Sequence, residues 1–89
     1  MPQIEIPRRY RSPTGGLATI TVAGDTVRAC IEAAESKYPG FGELVLDRKG
    51  ALRLFVKLFI NGDELERSAL DRRIRDDDTI SVLTAAAGG

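Results

Sequence analysis

Few residues in this chain have the side chains that proteins use to move protons, hold metals or attack carbonyl groups. Its 89 residues include no histidine and a single cysteine, Cys30. Histidine is the commonest general base and metal ligand. Without it, Ser–His and Cys–His nucleophile pairs cannot be assembled. A tetrahedral zinc site needs several Cys or His ligands, and one cysteine does not supply them. Asp76-Asp77-Asp78 is a run of carboxylates, but adjacent carboxylates do not present the spaced ligands of a calcium loop. The run reads as a solvated turn, and Cys30 reads as a small core residue rather than a reactive thiol. No catalytic residue, metal site or bound cofactor is therefore expected in the chain.

What remains is chemistry at the main chain. The sequence closes on Ala85-Ala86-Ala87-Gly88-Gly89. Read as a C-terminus, Gly88-Gly89 carries a free carboxylate on a segment with no bulky or charged side chain. Such a segment is thin and flexible. It can thread a narrow channel and place its carboxylate in another protein's active site. A frayed terminus has a similar composition, so the diglycine needs support from the elements before it.

Those elements are short and evenly spaced. Ile4 and Ile6 alternate with Gln3 and Glu5, a half-buried strand pattern. The stretch Arg8 to Gly16, with Pro13 and two glycines, is a basic turn. Leu17 to Val22 alternates again, with Ala18, Ile20 and Val22 expected on one face. Gly24-Asp25-Thr26 precedes a helical pattern in which Val27, Ile31 and Ala34 share a face with Cys30 and Tyr38 nearby. Asp25 or Thr26 can cap that helix, and Pro39-Gly40 ends it. Phe41 to Leu46 reads as a turn or one helical turn over the core. Leu54 to Ile60 is the most strand-like segment, and Asn61-Gly62 is a turn signal after it. Leu65 is expected to open a short strand. Leu70 and Ile74 anchor a charged stretch, and Thr79 to Thr84 is a last strand with Ile80 and Val82 inward. Glu64, Glu66 and Asp71 near Arg67 and Arg72 read as surface ion pairs.

The chain is long enough for one small domain with a modest core. An apolar fraction of 43% and a charged fraction of 29% suit a soluble globular protein. Thirteen basic and thirteen acidic residues cancel, which argues against a dedicated nucleic-acid binder. No apolar run approaches the roughly 20 residues of a membrane span. Met1-Pro2-Gln3-Ile4-Glu5 does not open a signal peptide. One cysteine excludes an internal disulfide, which fits a reducing cytoplasm. The expected organisation is an α+β domain over residues 1–84, with a flexible diglycine tail over 85–89.

Strand, strand, helix, strand, short strand, strand and a terminal diglycine together resemble the MoaD/ThiS family of ubiquitin-like β-grasp sulfur carriers. The similarity covers nearly the whole chain. It is carried by Gly24-Asp25-Thr26-Val27, Tyr38-Pro39-Gly40, Phe55-Val56, Phe59-Ile60-Asn61-Gly62, Asp77-Asp78 with Ile80 and Val82, and Ala87-Gly88-Gly89. Arg11 and Thr14-Gly15-Gly16 look like the CysO-like branch, which serves cysteine biosynthesis. The chain departs from the family where Asp76-Asp77-Asp78 replaces a more usual Asp-Gly-Asp. It departs again where Thr84-Ala85-Ala86 replaces a segment that more often holds proline and valine.

The resemblance implies a mixed sheet of four to five strands, one main helix, and parallel first and last strands at the sheet centre. It implies a protein co-substrate rather than an enzyme. A ubiquitin-activating-type partner would adenylate the Gly89 carboxylate using its own ATP and magnesium, and sulfur would then convert it to a thiocarboxylate. The acceptor would be a cysteine synthase-like enzyme, with a metalloprotease releasing the product, or the large subunit of molybdopterin synthase. Neither nucleic acid nor membrane is an expected partner. If Val56, Leu58 and Ile60 face the helix, Phe55, Lys57 and Phe59 lie on the open face. They form a candidate docking patch, with Ala85, Ala86 and Ala87 leading from it to Gly88 and Gly89. Two rival readings are a protein modifier joined through Gly89 to lysines and a plain β-grasp interaction domain.

Overall fold

The structure is a computed structural model that describes residues 1–85. The chain folds into a five-stranded mixed sheet with one main helix packed on it. The strands are β1 (Gln3–Glu5), β2 (Thr19–Thr21), β3 (Val56–Ile60), β4 (Asp63–Glu64) and β5 (Thr79–Thr84), in the order β2-β1-β5-β3-β4. β1 and β5 run parallel, with Ile4 opposite Ile80. The remaining pairs are antiparallel. The expectation that the first and last strands are parallel neighbours holds, with β5 in the middle of the order. The arrangement is the β-grasp.

Strand periodicity fixes what each face of the sheet does, because successive side chains point to opposite sides. Ile4, Ile20, Val56, Leu58, Ile60, Ile80 and Val82 are buried on one side. There they meet Val27, Cys30, Ile31 and Ala34 of helix α1 (Val27–Lys37) and Phe41 and Val45 of helix α2 (Phe41–Val45). Leu65, Leu70 and Ile74 close the core from the long connection between β4 and β5.

The ends of α1 are set by local hydrogen bonding. Of the two capping candidates it is Thr26 that caps, its hydroxyl accepting from the Ala29 N–H at 3.0 Å. The first helical N–H groups have no partner inside the helix. Here Val27 donates to the Arg72 carbonyl at 3.0 Å and Arg28 to the Leu70 carbonyl at 2.8 Å, so the 70–72 segment closes the helix start. Pro39 and Gly40 follow the helix, with Gly40 at φ 101°. The Glu35 carboxylate accepts from the Gly40 N–H at 3.0 Å and the Gly42 N–H at 2.8 Å. It thereby holds α2 against α1.

The structure corrects several boundaries. β2 is shorter than the alternation over 17–22, and Ala18 is exposed. Ala18 lies at a bend ahead of the paired strand and lines a hollow beside Glu5 and Thr19. Leu54 and Phe55 form a turn before β3 rather than its first residues. The short strand is Asp63–Glu64, just ahead of Leu65. Asn61 at φ 51° and Gly62 at φ 91° form the two-residue loop that joins it to β3, the positive-φ pair a type I′ hairpin requires.

Candidate functional site

The candidate docking residues sit on the sheet face opposite the helices. Lys57 and Phe59 alternate with the buried Val56, Leu58 and Ile60, so their side chains leave the open side. Lys57 is exposed and Phe59 is half-buried. Phe55 is 51% exposed at the turn that leads into β3. The sequence-derived facing of this strand is therefore the observed one.

Register extends the patch across two strands. Lys57 lies opposite Leu83 and Phe59 opposite Ser81. Directly opposed residues share a face, with Cβ atoms about 5 Å apart. Leu83 is 48% exposed, and with Lys57 it bridges Phe59 and Phe55. The pattern that turns Ile80 and Val82 inward turns Ser81 and Leu83 outward, so an outward leucine was readable in the sequence and was missed. Charge borders the strip on either side: Glu64 is opposite Phe59, and the Ser81 hydroxyl donates to the Glu5 carboxylate at 2.7 Å. The strip is apolar along its length, carries one cation at Lys57, and has an acidic margin.

Its far end reaches the root of the tail. The Ala85 N–H donates to the Phe55 carbonyl at 2.7 Å, extending the β3–β5 ladder one residue past β5. The expected tail residues Ala86, Ala87, Gly88 and Gly89 lie outside the described residues. Ala85 itself is exposed. The apolar strip and the last described residue of the chain thus lie side by side.

Other candidate groups are used structurally. Cys30 is fully buried, and burial, with the Asp25 carboxylate adding to it, pushes its thiol pKa up. A raised pKa leaves little thiolate, the reactive form. Asp78 accepts from the Arg75 N–H and the Asn61 amide, each at 2.8 Å, and these bonds hold its carboxyl below the ordinary range. The Asp76-Asp77-Asp78 run is a turn. Among the expected surface pairs, Asp71 bonds Arg28 at 2.9 Å, whereas Arg67 bonds backbone carbonyls. A hollow of about 620 Å³ lies between α1 and α2, lined by Ile31, Glu35, Glu43, Asp47 and Arg53 among others. Three of its polar side chains are used within the fold: Glu35 accepts from the Gly40 and Gly42 N–H groups, Asp47 accepts from Lys49 and Ala51, and Arg53 donates to the Glu43 carbonyl. No grouping of three or more metal-binding side chains occurs among the described residues. No helix among them is long and apolar enough to cross a membrane.

A ThiS family model matches residues 4–89, which spans the sheet, both helices and the diglycine. The chain belongs to the ThiS family. Sulfur carrier protein CysO of Mycobacterium tuberculosis is 35% identical over 89 residues, covering 97% of this chain and 96% of that one. The crystal structure of M. tuberculosis CysO superposes with a TM-score of 0.89 at 31% identity, covering 97% of this ThiS-family chain and all of the other. A CysO chain from the Amycolatopsis orientalis BexX/CysO complex gives the same TM-score at 29% identity, with full coverage of both. The CysO-like resemblance in the N-terminal turn therefore extends along the whole chain.

Proposed function

We propose that this chain is a sulfur carrier of the CysO type, acting in cysteine biosynthesis with the Gly89 carboxylate as its working group. The observation that carries the reading is the continuity of the open-face strip with the root of a diglycine tail. Phe59, Lys57, Leu83 and Phe55 lead to Ala85, and the chain matches its ThiS relatives through Gly89. Likeness to CysO over nearly the full length of both chains supports the choice of branch.

A carboxylate is a poor electrophile. A ubiquitin-activating-type partner joins the Gly89 carboxylate to the α-phosphate of ATP and releases pyrophosphate. Sulfide then attacks the acyl carbon, AMP leaves, and a thiocarboxylate remains; where a persulfide is the donor, the acyl disulfide first formed is cleaved by a thiol of the partner, which ends in a disulfide with the donor's sulfur. On the acceptor enzyme the thiocarboxylate sulfur takes the place of the activating group on the β-carbon of a serine derivative, that group leaves, the acyl group moves from sulfur to the amine, and a metalloprotease hydrolyses the resulting amide to free cysteine and the Gly89 carboxylate. The partners supply nucleotide binding and acid–base groups, so the carrier needs no histidine and acts as a co-substrate. The carrier supplies the apolar strip, which excludes water at the contact, and Lys57, which fixes register against a partner carboxylate. A CysO seen in complex with BexX is consistent with a carrier that works by docking.

The test is Gly89→Val in ATP–pyrophosphate exchange with the activating enzyme of the same cell. The variant is expected to keep its fold and lose adenylation, because a branched side chain blocks a channel shaped for glycine. Normal adenylation of Gly89→Val contradicts the reading.

A further inference from the structure

Turn tips are normally built from Gly, Pro, Asn, Asp and Ser, which suit turn geometry and water. The turn before β3 breaks that rule. Val56 donates to the Arg53 carbonyl at 3.0 Å, closing a four-residue turn whose central residues are Leu54 and Phe55. Leu54 is 78% exposed and Phe55 51%. The fold leaves most of Leu54 and about half of Phe55 in water.

The turn is nonetheless held firmly. The Arg67 guanidinium donates to the Val56 carbonyl at 2.7 Å, the Leu52 carbonyl at 3.1 Å and the Arg53 carbonyl at 2.6 Å. Its planar fork meets carbonyls on both sides of the tip, a geometry a lysine point charge cannot reproduce. The Phe55 carbonyl in turn accepts from Ala85. One side chain thus braces the turn, and the turn braces the last described residue of the chain.

We infer that Arg67 is a positioning residue that clamps the Arg53–Val56 turn, presenting Leu54 and Phe55 to an apolar pocket of the activating partner. This rests on the sulfur-carrier reading above and deepens it. The partner chemistry follows from the tip: Leu54 and Phe55 are apolar, continuous with the Phe55–Leu83 strip, and flanked by the exposed cations Arg53 and Lys57. Leu54 thereby adds a contact beyond the strand face, beside the tail root.

The experiment has two arms on Arg67→Ala, Arg67→Lys, Leu54→Ala and the Arg67→Ala/Leu54→Ala double variant. In amide hydrogen exchange of the free protein, Val56 and Ala85 exchange faster in both Arg67 variants and as in wild type in Leu54→Ala. In ATP–pyrophosphate exchange, Arg67→Ala and Leu54→Ala each raise KM about tenfold, the effect of losing an interface anchor, with kcat within about twofold. The double variant is less than additive, because Leu54 has lost its fixed position once the clamp is gone. Additive effects place Arg67 in direct contact with the partner and overturn the inference. Unchanged exchange at Val56 and Ala85 also overturns it, as does an unchanged KM for Leu54→Ala. Should Arg67→Ala fail to fold, Arg67→Lys, which keeps the side-chain stem, carries both arms. A wild-type protein that is not adenylated at all refutes the sulfur-carrier reading, and the exchange arm then decides the clamp.

Discussion

Val82 and Leu83 are chain neighbours on opposite faces of β5, so truncating them separates docking from stability. Leu83 is 48% exposed. Full burial of a leucine is worth about 1.5–3 kcal/mol. Half of that is already realised in the free fold, so burial under a partner can add about 0.7–1.4 kcal/mol, or roughly 3- to 10-fold in affinity. Leu83→Ala should therefore raise KM in ATP–pyrophosphate exchange by that factor. Its melting temperature should stay close to wild type, since the side chain packs on no core residue of the helix layer. Val82 is 2% exposed. Removing its two methyl groups costs their transfer free energy and leaves a cavity, about 2 kcal/mol or more together. In a domain of this length that lowers Tm by about 8 °C or more. KM for folded Val82→Ala should be near wild type. The assay is a pair of measurements on each variant, KM against carrier concentration and Tm. A Leu83→Ala protein that melts like Val82→Ala and keeps a wild-type KM refutes the assignment of the open face.

Two further expectations follow from the packing and hydrogen bonding. A Cβ added at Gly24 would lie 2.8 Å from the Cys30 nitrogen, 2.9 Å from its Sγ and 3.0 Å from the Ala29 carbonyl carbon. Two of these atoms are α1 backbone and cannot move alone, so Gly24→Ala should destabilise by about 1–3 kcal/mol in urea unfolding. Asp78 has a pKa lowered from the ordinary 3.8 by bonds from Arg75 and Asn61. A depressed native pKa contributes stability that is complete above the unfolded value and fades as pH falls through the folded one. Asp78→Asn should thus narrow the loss of stability on acidification below about pH 4, with little difference in slope at neutral pH. Equal acid sensitivity of the two proteins would show that another group controls it.

Much of this fold was readable because the strongest sequence signals coincide with the strongest physical constraints. Val56, Leu58 and Ile60 alternate without interruption, and a slip of one residue would turn all three to water. Thr26 and Pro39-Gly40 bound α1 by hydrogen bonding and ring geometry, both local effects. The misjudged positions depended on distant partners. Ala18 continues the β2 alternation in sequence, yet the strand's described pairing with β1 begins at Thr19. Arg67 looked like a member of a surface ion pair because no local pattern reveals backbone groups brought from other segments. Leu83 was the opposite case: the alternation that placed Val82 inside already placed Leu83 outside. At the candidate site, the outward facing of Lys57 and Phe59 was readable from strand period, whereas Phe55 sits in the turn before β3 and the continuity with Leu83 and Ala85 required the β3–β5 register.

The central claim is that the chain carries sulfur at Gly89. Intact mass spectrometry of the protein purified from its native cell, with fragmentation to locate the change, addresses it directly. The account predicts a species in which one oxygen is replaced by sulfur, with the exchange confined to the Gly89 carboxyl group. A chain that carries only an ordinary carboxylate in cells actively making cysteine, or that is found with Gly89 in an isopeptide bond to lysine and never as a thiocarboxylate, contradicts it.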